Sequence, residues 1–152
     1  MNNISKFNPL HHVLRSCSPR FRVNRDGSRS THYDIPWTKS TQQRGATVVV
    51  TARDDRLCPC TPLKNHLIVN AAIPSEASLF AFRMGPNSWQ HMSKHNFLSF
   101  VNKVWLHAGL SNLSGHSFRI GGAVELLLAG VAPEVIAATG GWTSLAFLLY
   151  WR

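Results

Sequence analysis

The feature that most constrains this chain is a change of texture and period near Pro59. Residues 1–56 are polar and basic, with turn signals and short β-branched runs. From Pro59 onward apolar residues recur every three or four positions, the spacing of a helix face. A chain built this way combines a small sheet with a helical remainder, so the fold class read from it is α+β, mostly helical.

The upstream half gives the sheet. "RFRVNRDGSRSTHYDIPW" sets Asp26-Gly27 between two extended stretches and predicts a hairpin. "ATVVVTA" (46–52) predicts a further strand, and the polar loop "TKSTQQRG" leads to it from Trp37. Together they predict a three-stranded antiparallel sheet within about residues 20–52.

The helical region spans about residues 59–152. "PCTPLKNHLIVNAA" predicts one helix, with prolines near its start where their missing N–H is tolerated. "SLFAF" reads as a short extended segment. Ser93 is placed to cap a helix carrying Phe97, Phe100, Val101, Val104, Trp105 and Ala108 on one stripe, with Gly109 at its end. Ser114 starts the next helix, in which Ile120, Val124, Leu127 and Leu128 line one face and Gly130 closes the end. Pro133 opens a short helix that stops at Gly140-Gly141, and Ser144 caps a last one.

Composition narrows the function. The length of 152 residues suits one domain, and 44% hydrophobic content is enough for a core. No run of about 18 apolar residues occurs, so no transmembrane helix is predicted, and the N-terminus lacks a secretory h-region. Sixteen Lys and Arg against seven Asp and Glu leave a net charge of +9, which points to a polyanion, most simply nucleic acid. Cys17, Cys58 and Cys60 are an odd set, read as free thiols in a reducing compartment. His91 and His95 are four apart, but Ser93 between them sets His91 outside the helix. Zinc needs three or four converging ligands, so neither a metal nor a cofactor is expected.

The densest signal is "SGHSFRIGGAVELLLAG". His116 and Arg119 are three apart at a helix start and project on one side. The first N–H groups of a helix lack partners and attract anions. An arginine fork matched to two phosphate oxygens would complete a clamp there. Alone, such a pair is weak: Arg119 could pair with a carboxylate, and His116 could be a helix-start cap. Trp142 and Tyr150 taken singly read as core aromatics, and Lys39 as a solvated loop residue.

The order of these residues resembles the tyrosine recombinase (phage integrase) family. His-x-x-Arg is followed after 23 residues by Trp142 in "GGW", and after eight more by Tyr150. The wording "HSFRIGGA", "LLLAG", "GGW" and "YWR" is similar to the eukaryotic, mobile-element branch, and the likeness covers roughly residues 8–152. It implies a catalytic domain of recombinase type. Family members carry a lysine in a β-hairpin loop, and "IPWTKSTQQRGATVVV" sets Lys39 there. The Trp-to-Tyr gap looks one residue shorter than in many bacterial relatives.

The resemblance assigns each residue a part. Tyr150 is the nucleophile that attacks a DNA phosphate and displaces a 5′-hydroxyl, leaving a 3′-phosphotyrosyl bond. Arg119 binds the non-bridging oxygens, and His116 donates to the phosphate and helps move the phenolic proton. Trp142 donates its indole N–H or packs to fix the tyrosine segment, and Lys39 protonates the leaving oxygen. The implied partner is double-stranded DNA, with self-association on it, no membrane and no small-molecule substrate. The implied location is nuclear.

The family also uses a first arginine in an "R-x-G-E"-like helix. No such motif occurs in this sequence, and Arg15 in "HHVLRS" lacks that context. The expectation is a partial catalytic domain over 1–152, without the first-arginine helix and the arm-binding domain, and a DNA breaking–rejoining activity that is impaired. A non-catalytic basic DNA-binding remnant is the alternative. A helical protein-interaction domain is a further one, but it leaves the ordered His, Arg, Trp and Tyr unexplained.

Overall fold

A computed structural model of the chain describes residues 7–142, 144 and 147–149. It divides into two compact units, Met1–Ser93 and Lys94–Arg152.

The first unit holds the sheet. Strands β1 (Arg20–Val23), β2 (Arg29–Ile35) and β3 (Ala46–Thr51) form an antiparallel sheet in that order. The Asp26-Gly27 turn joins β1 to β2, as the sequence predicts. Asp26 sets the turn by accepting from the Ser28 N–H and hydroxyl, at 2.9 and 2.7 Å. The register fixes the faces. Phe21 opposes Thr31, which opposes Val50, so these three side chains share one face. Helix α1 (Cys60–Val69) lies against that face: the Cys60 thiol donates to the Val50 carbonyl at 3.4 Å, and Lys64 Nζ sits 4.7 Å from the centre of the Phe21 ring.

"SLFAF" is not an extended segment. Ser78–Ala81 make a turn closed by the Ala81 N–H on the Ser78 carbonyl. Tertiary pairing decides this. The Arg15 N–H binds the Ala77 carbonyl and the Leu79 N–H binds the Val13 carbonyl, so the segment is pinned residue by residue. Ile73, Ala77 and Ala81 cluster in the core beside the buried Leu79. A strand begins only at Phe82: β4 (Phe82–Gly85) pairs with β5 (Ser88–Gln90) in a two-stranded hairpin that the sequence reading missed.

Asn70 binds this hairpin to the end of α1, and His66 binds the turn before it. The Asn70 Oδ1 accepts the Arg83 N–H at 2.9 Å, and the His66 Nε2 donates to the Leu79 carbonyl at 3.0 Å. The Asn70 amide nitrogen lies 3.2 Å from His66 Nδ1 and also donates to the His66 carbonyl at 2.9 Å. His91 follows β5, outside any helix as expected, with the Ser78 hydroxyl at 2.9 Å from its Nδ1.

The second unit is helical: α2 (Lys94–His107), α3 (Gly115–Leu128) and α4 (Pro133–Gly140). Ser93 immediately precedes α2. Phe97 and Trp105 meet Phe118 of α3, at ring separations of 5.6 and 5.8 Å. The rest of the α2 stripe is less covered; Phe100 is 69% exposed. Asn102 ties down the α2–α3 loop, bonding both the N–H and the carbonyl of Leu113. Ser114 and Ser117 form a capping box at the start of α3.

The buried face of α3 follows the expected one at Leu127, which packs on the core, but not at Leu128. Ala123 is its buried residue, with Leu126 and Leu127 beside it, and Leu128 is 70% exposed. A small residue at 123 lets Ile136 of α4 and the fully buried Phe147 approach closely. Burying a side chain such as Phe147 contributes about 1.5–3 kcal/mol. The last helix expected after Ser144 falls largely on residues outside those described.

Candidate functional site

His116 and Arg119 occupy the first two turns of α3, so one helix carries both. His116 is exposed near the helix start, where no acidic side chain competes for the free N–H groups.

Arg119 is held by three features of "TGGW". Its Nη2 donates to the Gly140 carbonyl at 2.7 Å. That carbonyl ends α4, where orphan oxygens and the helix dipole both favour a cation. The guanidinium lies over the Trp142 ring at 4.0 Å from its centre, a cation–π contact. Trp142 is fixed in turn by Phe147, at a ring separation of 5.0 Å, and by its own N–H on the Ala137 carbonyl. Among the described residues Arg119 pairs with no carboxylate.

The two glycines have separate reasons. Gly141 sits at φ 67°, the left-handed cap that turns the chain out of α4. At Gly140 the indole ring packs where a Cβ would be, so a side chain there would overlap Trp142. Sequence reasoning named Trp142 but missed Gly140 and Phe147 as its supports. The doubled glycine before a tryptophan was the available signal, since it marks close backbone approach.

Lys39 lies in the first unit, at the tip of the β2–β3 loop, with its side chain exposed. The loop is braced from inside. The Gln42 N–H binds the Thr38 carbonyl at 2.9 Å, the Thr41 hydroxyl donates to the Gly45 carbonyl at 2.6 Å, and the Gln42 amide donates to the Lys39 carbonyl at 3.2 Å. Gly45 closes the loop at φ 61° against the Ile35 carbonyl, a position without room for a Cβ. Arg15 turns inward within the same unit, with Nη2 3.5 Å from the Leu67 carbonyl.

Of the five residues singled out, the second unit brings Arg119 and Trp142 into contact and sets His116 one turn from Arg119. Lys39 belongs to the first unit. Tyr150 lies outside the described residues. Among the described residues no group of three or more metal-ligating side chains converges, and no helix is long and apolar enough to cross a membrane. No family model matches the chain, and no curated protein and no solved structure is significantly similar to it.

Proposed function

We propose that this chain is a DNA breaking–rejoining protein of the tyrosine recombinase kind, working through a 3′-phosphotyrosyl intermediate. The observation that supports this reading is the packing of Arg119 on Trp142 one turn from His116, because it joins two parts of the motif that lie 23 residues apart.

In this reading the Tyr150 oxygen forms a bond to the phosphorus, and the bond to the 5′-oxygen breaks. The phenolic proton leaves through His116 or solvent, and Lys39 supplies a proton to the 5′-oxygen. The phosphodiester energy is kept in the phosphotyrosyl bond, so the reverse attack by a 5′-hydroxyl needs no nucleotide. Charge builds on the equatorial oxygens. Arg119, oriented by the indole and by Gly140, would meet it with a fork already in place. Without a second arginine motif, rates are expected about 10²–10³ below those of a complete pair.

The non-catalytic DNA-binding reading is favoured by a different observation. Twelve of the sixteen Lys and Arg lie in the first unit, with five of the seven carboxylates. A nicked-duplex suicide substrate separates the readings. The expected result is a slow covalent adduct that disappears in Tyr150→Phe and in Arg119→Ala. Salt-dependent binding with no adduct at any time would sink the enzyme reading and leave the binding one. Rapid, stoichiometric trapping would instead refute the claim of impairment.

A further inference from the structure

A pocket of about 170 Å³ opens between the sheet and the start of α1, several times the ~30 Å³ that one water occupies in the liquid. Its lining residues include Arg22, Arg29, Arg53 and Lys64, of which the strand register puts Arg29 on the Phe21 and Thr31 face, and no carboxylate lines it. Arg53 binds Asp55 at 2.6 Å, and Arg29 stands 3.7 Å from Asp54, a carboxylate 99% exposed and outside the pocket. Lys64 and Arg22 pair with no carboxylate among the described residues.

Two further observations mark the pocket as built for negative charge. Thr31 lines it from β2, fully buried, and its hydroxyl has no hydrogen-bond partner among the described residues. A buried hydroxyl left unmatched loses its hydration without recompense, and an entering oxygen would offset that loss. Cys58 lines the pocket just before α1, and its sulfur is held as an acceptor. The Thr61 hydroxyl points to it at 3.5 Å and the Arg53 N–H at 3.4 Å. These hydrogen bonds, that of Thr61 first, bring the thiol down to about 7.

The geometry points to a binding site for a phosphate-class oxyanion in this pocket, with Lys64 as the charged donor and Thr31 as the buried hydroxyl. The site is confined to the first unit and does not depend on the recombinase chemistry. The same chemistry would accept a free phosphate or a phosphate of a nucleic-acid backbone. Bound phosphate would also add negative charge beside Cys58 and favour its protonated form.

The test is calorimetric titration of the intact chain with inorganic phosphate, with chloride holding the ionic strength constant. Saturable binding is expected, weakened about tenfold in Lys64→Gln, as for one charge-assisted hydrogen bond, and unchanged in Lys103→Gln of the second unit. Thr31→Val is a second variant with opposite signs. It should weaken phosphate binding while folding stability holds or rises, since the unmatched hydroxyl is gone. Repeating the titration with phosphate present and a duplex as ligand distinguishes the sources: competition places a backbone phosphate in the pocket, and its absence leaves a free one. No saturable phosphate binding, or equal affinity in wild type and Lys64→Gln, would overturn the inference.

Discussion

Asp34 illustrates how much one exposed side chain can organise. It sits on the central strand and accepts from Arg20 of β1, at 2.8 and 3.2 Å, and from the Thr47 hydroxyl of β3, at 2.7 Å. These bonds, that of Arg20 foremost, hold its carboxyl at about 2. The unfolded value is about 3.9, so the folded state favours the ionised form. Its contribution to stability is therefore fully present above about pH 4 and is lost as pH falls through about 2. Both partners are exposed, so the contribution at neutral pH is modest. Asp34→Asn should lower the thermal midpoint at pH 7 slightly, and the gap from wild type should close as pH falls from about 4 to about 2. A gap that stayed constant across that range would deny Asp34 this role. Nothing in the sequence announced the triple contact, because it needs a strand register, and register is a property of the pairing. The site shows the same limit. The family resemblance named Arg119 and Trp142, but not the stack between them, which depends on where α4 ends.

Glycines show the same contrast at the level of the element. Gly121 and Gly122 lie in α3 with nothing within 4 Å of a built Cβ. Gly140 ends α4 with the indole ring in the way. Gly121→Ala and Gly122→Ala should each stabilise by about 0.5–1 kcal/mol, the cost of a glycine in a helix. Gly140→Ala should destabilise by about 1–3 kcal/mol, the usual penalty of overpacking, and should release Arg119 from Trp142. Urea unfolding of the three variants reads both signs, and a neutral Gly140→Ala would contradict the packing described. Elements governed by local chemistry were legible in the sequence. The Asp26-Gly27 hairpin, the β-branched third strand, the Ser114 helix start and the Gly140-Gly141 stop all stand where turn and cap preferences put them. Elements set by distant partners were not. Ser78–Ala81 is shaped by its pairing with residues 13–15. The β4–β5 hairpin is too short for alternation to register. The buried face of α3 follows from where Ile136 and Phe147 pack, which moves it from Leu128 to Ala123.

Charge is the property that belongs to the whole molecule, and its distribution has a consequence for binding. The net charge of +9 comes mostly from the first unit, whereas the His116, Arg119 and Trp142 group lies in the second. A polyanion that is held by counterion release will be held mainly through residues 1–93, whatever the role of the second unit. Nonspecific duplex binding should therefore weaken steeply with salt. The slope of log affinity against log salt should fall by about 1 for each phosphate contact removed. Lys39→Gln and Arg44→Gln, both on the β2–β3 loop, are expected to reduce it together by up to about 2, and Lys103→Gln in the second unit should leave it unchanged. Fluorescence anisotropy with a labelled duplex over a salt series measures the three slopes directly. If the loop variants keep the wild-type slope while Lys103→Gln lowers it, the polyanion is held by the helical unit. The charge excess of the first unit would then serve its own pocket and not the duplex.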